Sequence, residues 1–137
     1  MANSTTVQIF EDGPRNVICK FEGVLDTSDL STTTVLDPAT LDYIDASTNT
    51  LAGRLRIVKI TYNIEDLLSV NLFWDATTPV RIESLEGRGK MDLRHIAGLQ
   101  NNAAATGFTG KITATTQGWT LGGTLSFSII LECIKQL

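Results

Sequence analysis

One histidine, two cysteines and three prolines are all that this chain of 137 residues offers of the side chains that most often bind metals, bridge or break sheets. A lone histidine, His95, excludes a multi-histidine metal centre and any histidine pair. Cys19 and Cys133 are too few and too far apart for a zinc site, which needs four ligands at short spacings. Each lies in alternating apolar sequence, "VICKF" and "LECIK", so both read as buried thiols. A disulfide joining two strands is the other reading, and a reducing compartment disfavours it. Long apolar runs are missing as well: nothing approaches the ~18 residues of a spanning helix, and "MANSTTVQIF" lacks the basic start and apolar centre of a signal peptide. Without a secretion signal, the glycosylation pattern "NST" at Asn3 carries little meaning. These absences point to a soluble protein made in a cytoplasm, with no membrane partner.

Charge is scarce too, at 19% of residues, while 42% are hydrophobic, a balance that is neither disordered nor membrane-like. The length suits a single domain, spanning 1–137, able to bury roughly two thirds of the surface its unfolded form exposes. The net charge of −4 is unevenly placed: eight acidic and two basic residues through Gly53, seven acidic and nine basic from Arg54 onward. An acidic domain is repelled by phosphate, which argues against nucleic acid as a partner. The asymmetry suits head-to-tail contact between copies, or equally a solvated acidic loop beside a basic sheet.

What the sequence does have is period-two alternation. Leu68, Val70, Leu72 and Trp74 alternate with Ser69, Asn71, Phe73 and Asp75, the pattern of a half-buried strand. In "VKITYNI", Val58, Ile60, Tyr62 and Ile64 share a face, and the short "EDL" link predicts a hairpin between these two strands. Leu55 and Ile57 fall on the opposite phase, which predicts a bulge near Ile57 or a strand covered on both faces. The final strand sets Leu125, Phe127, Ile129, Leu131 and Cys133 on one face, while Ile130 and Ile134 make its second half apolar on both; it therefore belongs in a central position or beneath a partner subunit. "GKITATT", "PVRIESL" and "KMDLRHI" read as further strands, and "TVQIF" and "NVICKFEGV" flank a turn at Gly13 and Pro14. The best helical signal, "DPATLDYIDAS", has Asp37 as N-cap and Pro38 at the first position and suffices for one or two turns. The expected fold is all-β, an antiparallel β-sandwich or jelly roll of about eight strands with at most one short helix.

No catalytic constellation emerges. "GRGK" at Gly87–Lys90 has Ser84 and Met91 where a phosphate loop needs glycine and a hydroxyl, so it reads as a tight strand connection with Gly87 or Gly89 at positive φ. Its Arg88 and Lys90 could meet an acidic partner surface. His95 has Ser84, Ser126 and Ser128 as formal nucleophile partners, none in a strand-to-helix elbow, and reads as a strand-end side chain. Asp26, Asp29, Asp37, Asp42 and Asp45 crowd one stretch without calcium-loop spacing, so a solvated acidic loop is the plainer reading. Trp74 follows the inward phase and belongs to the core. Trp119, in the glycine-rich "TTQGWTLGGT", is expected to be exposed, as a subunit contact or a sugar-stacking platform.

The stretches "FEGVLDTSDLS", "LRIVKITYNIEDLLSVNLFWDATTPVRIESLEGRGKMDLRHIAGLQNN", "TGKITATTQGW" and "LSFSIILECIKQ" together resemble a group of small virion structural proteins encoded by tailed bacteriophages. The resemblance runs from about Phe21 to the end, and its most specific parts are "WDAT", "GRGKMD", "TGKI" and the closing "LE-x-x-K" strand. It implies a non-enzymatic head decoration or cement protein of jelly-roll-like fold, with a neck or tail component as the alternative. It further implies the major capsid protein and a second or third copy of the chain as partners, no cofactor, and residence in the phage head after synthesis in the host cytoplasm. Under that reading the contacts fall on an N-terminal arm, 1–10, that orders on binding and carries Phe10. They fall also on the polar loops holding Leu30 and Asn101, on the Arg88 and Lys90 turn, and on Trp119. A carbohydrate-binding module built on Trp119 is the reading from another class.

Overall fold

Strict alternation in the last strand sets the architecture. From Phe127 to Cys133 every second residue is buried, and the residues between are half-buried, so one face of the strand must lie on a core and its edges must be paired. The computed structural model describes residues 3–96, 98–100 and 106–136. Ten strands follow in order: β1 (Ser4–Asp12), β2 (Asn16–Leu25), β3 (Thr33–Leu36), β4 (Arg54–Ile64), β5 (Ser69–Trp74), β6 (Val80–Glu86), β7 (Arg88–Asp92), β8 (Leu99–Gln100), β9 (Ile112–Gln117) and β10 (Leu125–Gln136). Among the described residues the helical content is two single 3-10 turns, Pro38–Thr40 and Arg94–Ile96. The first is capped as its sequence predicts, with the Asp37 carboxylate accepting from the Ala39 amide at 3.0 Å and Pro38 at the start.

The strands form two antiparallel sheets. One is ordered β1-β2-β10-β4-β7, with β8 also on β4, and the other β3-β9-β5-β6. Setting aside β1 and the two-residue β8, the remaining eight pair in nested fashion: β2 with β10, β3 with β9, β4 with β7 and β5 with β6. A long hairpin rolled so that its nested pairs fall alternately in two facing sheets is a jelly roll, so the chain is an antiparallel β-sandwich of that topology. The core lies between the sheets, with Phe21, Leu55, Ile60 and Leu131 from one and Leu72 and Ile112 from the other, all at or below 1% exposure. β10, apolar on both faces in its second half, is the central strand.

Rolling overturns the hairpin expected between β4 and β5. The two strands lie in different sheets, and residues 65–68 form a corner between them, with Leu67 at φ 71° and 87% exposed. The phase slip in β4 is a bulge: Ile57 pairs with Cys133 and Lys59 with Glu132, leaving Val58 unpaired on that side and letting Leu55, Ile57 and Ile60 all reach the core. Two further expectations are corrected. Residues 4–12 are no free arm but a strand in register with β2, because their alternation completes the sheet edge. "KMDLRHI" is strand only to Asp92; the Asp92 carboxylate then accepts from the Arg94 amide at 3.1 Å and turns the chain into the second 3-10 turn.

Candidate interaction surfaces

The predicted contact residues do not gather into one patch. Leu30 and Trp119 are brought together at one end of the sandwich. The Asp29 carboxylate accepts from the Thr116 hydroxyl at 3.1 Å and the Trp119 amide at 3.0 Å, and that hydroxyl oxygen in turn accepts from the Leu30 amide at 2.7 Å. Trp119 is half-buried against the core, and its indole N–H is donated to the Gly123 carbonyl at 3.0 Å. The exposed aromatic expected from its glycine-rich setting is therefore a loop plug: glycines let the chain fold back over the ring. Leu30 likewise packs on the core rather than projecting from its loop. Asn3 ties the same end, accepting from the amides of Asp26 at 2.8 Å and Thr27 at 3.0 Å.

The opposite end is held by the aspartate of "WDAT". The Asp75 carboxylate accepts from the Thr109 hydroxyl at 2.7 Å, its amide donates to the Lys111 carbonyl at 3.0 Å, and Thr77 donates its amide to Thr106. Gly107, at φ 76°, approaches Thr77 so closely that a Cβ there would lie 2.1 Å from its hydroxyl. "WDAT" and "TGKI" are thus two halves of one loop clasp. Asn101, in the same loop, lies outside the described residues.

The edges of the six-stranded sheet carry the other candidates. Arg88 and Lys90 alternate on β7, both exposed, after the single residue Gly87 at φ 69° carries the chain from one sheet to the other. Gly89 lies inside the strand, against the Tyr62 ring. Phe10, 50% exposed, is the extra residue of a bulge in β1, on the far edge. Three side chains missed by sequence reasoning are Val7, Ile9 and Lys135. Val7 and Ile9 are 38% and 41% exposed on the same strand. Lys135, 6% exposed, donates from Nζ to the Asp12 carboxylate, to the Gly13 carbonyl at 2.7 Å and to the Asp42 carbonyl at 2.9 Å, which satisfies all three of its protons. Its signal was legible, since 135 continues the inward phase of 127, 129, 131 and 133.

The groups weighed for chemistry occupy separate places. His95 is exposed in the second 3-10 turn. Its neighbour Arg94 reaches Glu132 on β10 at 3.2 Å, which leaves Ser128 and Ser126 four and six residues further along that strand, roughly 14–20 Å away. The Ser126 hydroxyl donates to Glu65 at 3.1 Å. The Arg94 amide, with the charges of Arg94, Lys59 and His95, holds the Asp92 carboxyl below the usual carboxylate range. Ser47 does the same for Asp45, its hydroxyl at 2.6 Å and amide at 3.0 Å both donating to the carboxylate. No group of three or more potential metal ligands occurs among the described residues. Of the aspartates crowded between 26 and 45, Asp37 and Asp45 cap turns, Asp26 and Asp29 staple loops, and Asp42 contributes its main-chain amide and carbonyl.

Cys19 and Cys133 are free and buried on neighbouring strands. Burial pushes the Cys19 thiol up to about 12, partly offset by the Leu131 backbone, and also pushes the Cys133 thiol well above its ordinary value. The outer face of the six-stranded sheet holds a shallow groove of about 540 Å³, lined by Ser4, Thr6, Lys20, Glu22, Asn63 and Arg88 among others. Compared with protein-family models, curated protein sequences and solved structures, the chain matches none.

Proposed function

We propose that this jelly roll is a non-enzymatic decoration protein of a bacteriophage head, which adds to the assembled shell and bridges neighbouring major capsid subunits. The observation that carries the reading is that the loops at both ends of the sandwich are tied down by side chains: Asn3 and Asp29 at one end, Asp75 and the strand residue Lys135 at the other. Loops held in this way present preformed surfaces, so docking on a partner costs little ordering entropy. Resistance to a load from within a shell requires such a body. The resemblance of "WDAT", "GRGKMD" and "TGKI" to phage virion proteins points the same way, and two of the three now form one clasp. A lattice of identical sites would multiply modest contacts into firm attachment.

Quantitative mass spectrometry of purified virions tests this reading by counting copies of the chain per major capsid subunit. A number commensurate with the capsid lattice is the expected result. A handful of copies would move the protein to the neck or tail, and absence from the particle would overturn the proposal.

A further inference from the structure

The two outer strands of the six-stranded sheet are protected unequally. β7 carries exposed Arg88 and Lys90, the kind of side chain that keeps an edge from pairing with another chain. β1 has no charge and no proline from Ser4 to Phe10, and its Val7, Ile9 and Phe10 are 38%, 41% and 50% exposed. Register fixes where two of these point. Val7 lies opposite Phe21 and Ile9 opposite Cys19. Directly opposed residues share a face, so Val7 and Ile9 are on the core face but beyond the cover of the second sheet. The bulge at Phe10 blunts only the C-terminal end of β1, and the uncharged, partly apolar run from Ser4 to Ile9 is a site of pairing unless something covers it.

We propose that a second copy of this chain covers it, with β1 pairing antiparallel to β1 about a two-fold axis, so that the two six-stranded sheets run on as one. The charge pattern selects the orientation, and the length of the open edge selects the occupant. The only charges of β1, Glu11 and Asp12, sit at its C-terminal end. Parallel pairing in register sets like charges opposite one another, which destabilises. Antiparallel pairing about Gln8 sends them to opposite ends, where each pair meets the uncharged stretch Ser4–Thr6 of the other copy, and sets Val7 against Ile9 twice. Such self-complementarity is what an isologous contact requires. Head-to-tail pairing of β1 on β7 could match the acidic end of β1 to the basic pair, but β7 has only five residues to offer against nine. The assembly therefore closes at two instead of growing as a fibre.

At about 3.4 Å per residue and a sheet thickness of about 10 Å, the covered edge is on the order of 300 Å² per copy, below the ~800 Å² of a standard interface. The dimer is accordingly weak, with dissociation in the micromolar range. This pairing is a property of the chain in solution, independent of any shell, so its failure leaves the decoration reading standing.

Two measurements on the full chain test it. Sedimentation equilibrium from low to high micromolar concentration is expected to show a monomer–dimer equilibrium that Val7→Lys with Ile9→Lys weakens at least tenfold. Oxidation of the single variants Thr6→Cys, Val7→Cys, Gln8→Cys and Ile9→Cys is expected to give covalent dimers with a maximum at Gln8→Cys and a decline on either side. Cys19 and Cys133, at 0% and 2% exposure, do not compete. A monomer at every concentration, a dimer indifferent to the lysines, or uniformly low cross-linking along the series would overturn the proposal. So would mass that keeps rising past the dimer and is suppressed by Arg88→Glu, the mark of head-to-tail growth.

Discussion

Single side chains do much of the organising in this protein, and two positions show how. Gly23 on β2 lies opposite Phe127 on β10, whose ring covers it; a Cβ at 23 would stand 2.7 Å from the ring. The same ring packs at 5.4 Å on Phe21, so it can make room only by giving up that contact. Gly23→Ala is therefore expected to destabilise the fold by about 1–3 kcal/mol, the usual cost of overpacking, read as a lower urea midpoint. Lys135 is the second position. Asp12→Ala would leave a buried ammonium with two carbonyls and no counter-charge. The expected cost is about 3 kcal/mol, the low end for breaking a buried pair because Asp12 keeps 21% exposure. The thiols make a further residue-scale prediction: with burial pushing Cys19 up to about 12 and Cys133 upward too, a disulfide-exchange reagent at mildly alkaline pH should find neither in the native state and both after denaturation.

Among the elements, the corner from β4 to β5 is tightly constrained. Gly118, at φ 102°, meets the turn so closely that a Cβ would lie 2.0 Å from the Leu67 carbonyl oxygen, a backbone atom with no freedom to yield. Gly118→Ala should cost more than Gly23→Ala, since strain at a positive φ is added to a clash with main chain. Equilibrium urea unfolding of the two variants side by side checks that order. The corner also shows how the hairpin expectation failed. A three-residue link between alternating strands is equally short whether the chain reverses within a sheet or crosses to the facing one, and no local pattern separates the two. The bulge at Val58 was visible because it breaks the alternation itself. The burial of Trp119 was not visible: whether a glycine-rich loop folds over its aromatic depends on Asp29, distant in sequence.

For the whole molecule, the roll makes β2, near the start of the chain, a neighbour of β10 at its end, so most sheet contacts close large loops. Refolding of such a non-local topology belongs to the millisecond-to-second range. Acid should weaken the fold in a defined direction. Asp45 and Asp92 hold their carboxyls below the ordinary value. Their contribution is present above the unfolded value, about 4, and is lost as pH falls through the lower folded values. Thermal midpoints should thus stay level from neutral pH down to about 5 and then decline below 4. In Asp45→Asn with Asp92→Asn that decline should be shallower.

The sequence by itself determined the all-β class, eight of the ten strands in outline, the phase slip in β4, the capped 3-10 turn and the two-faced apolar character of β10, because alternation and turn chemistry are local and each residue declares its own face. It also held a signal that went unread, a lysine on the inward phase at 135. Tertiary structure alone decided that the strands nest as a jelly roll, that residues 4–12 form an edge and not an arm, and that Leu30 and Trp119 pack inward. It decided as well that β1 and β7 are the outer strands of the six-stranded sheet. Those outcomes depend on which strands become neighbours and where the second sheet ends. Both are settled by the joint burial of two faces, to which each residue contributes a part and which no single stretch of sequence encodes.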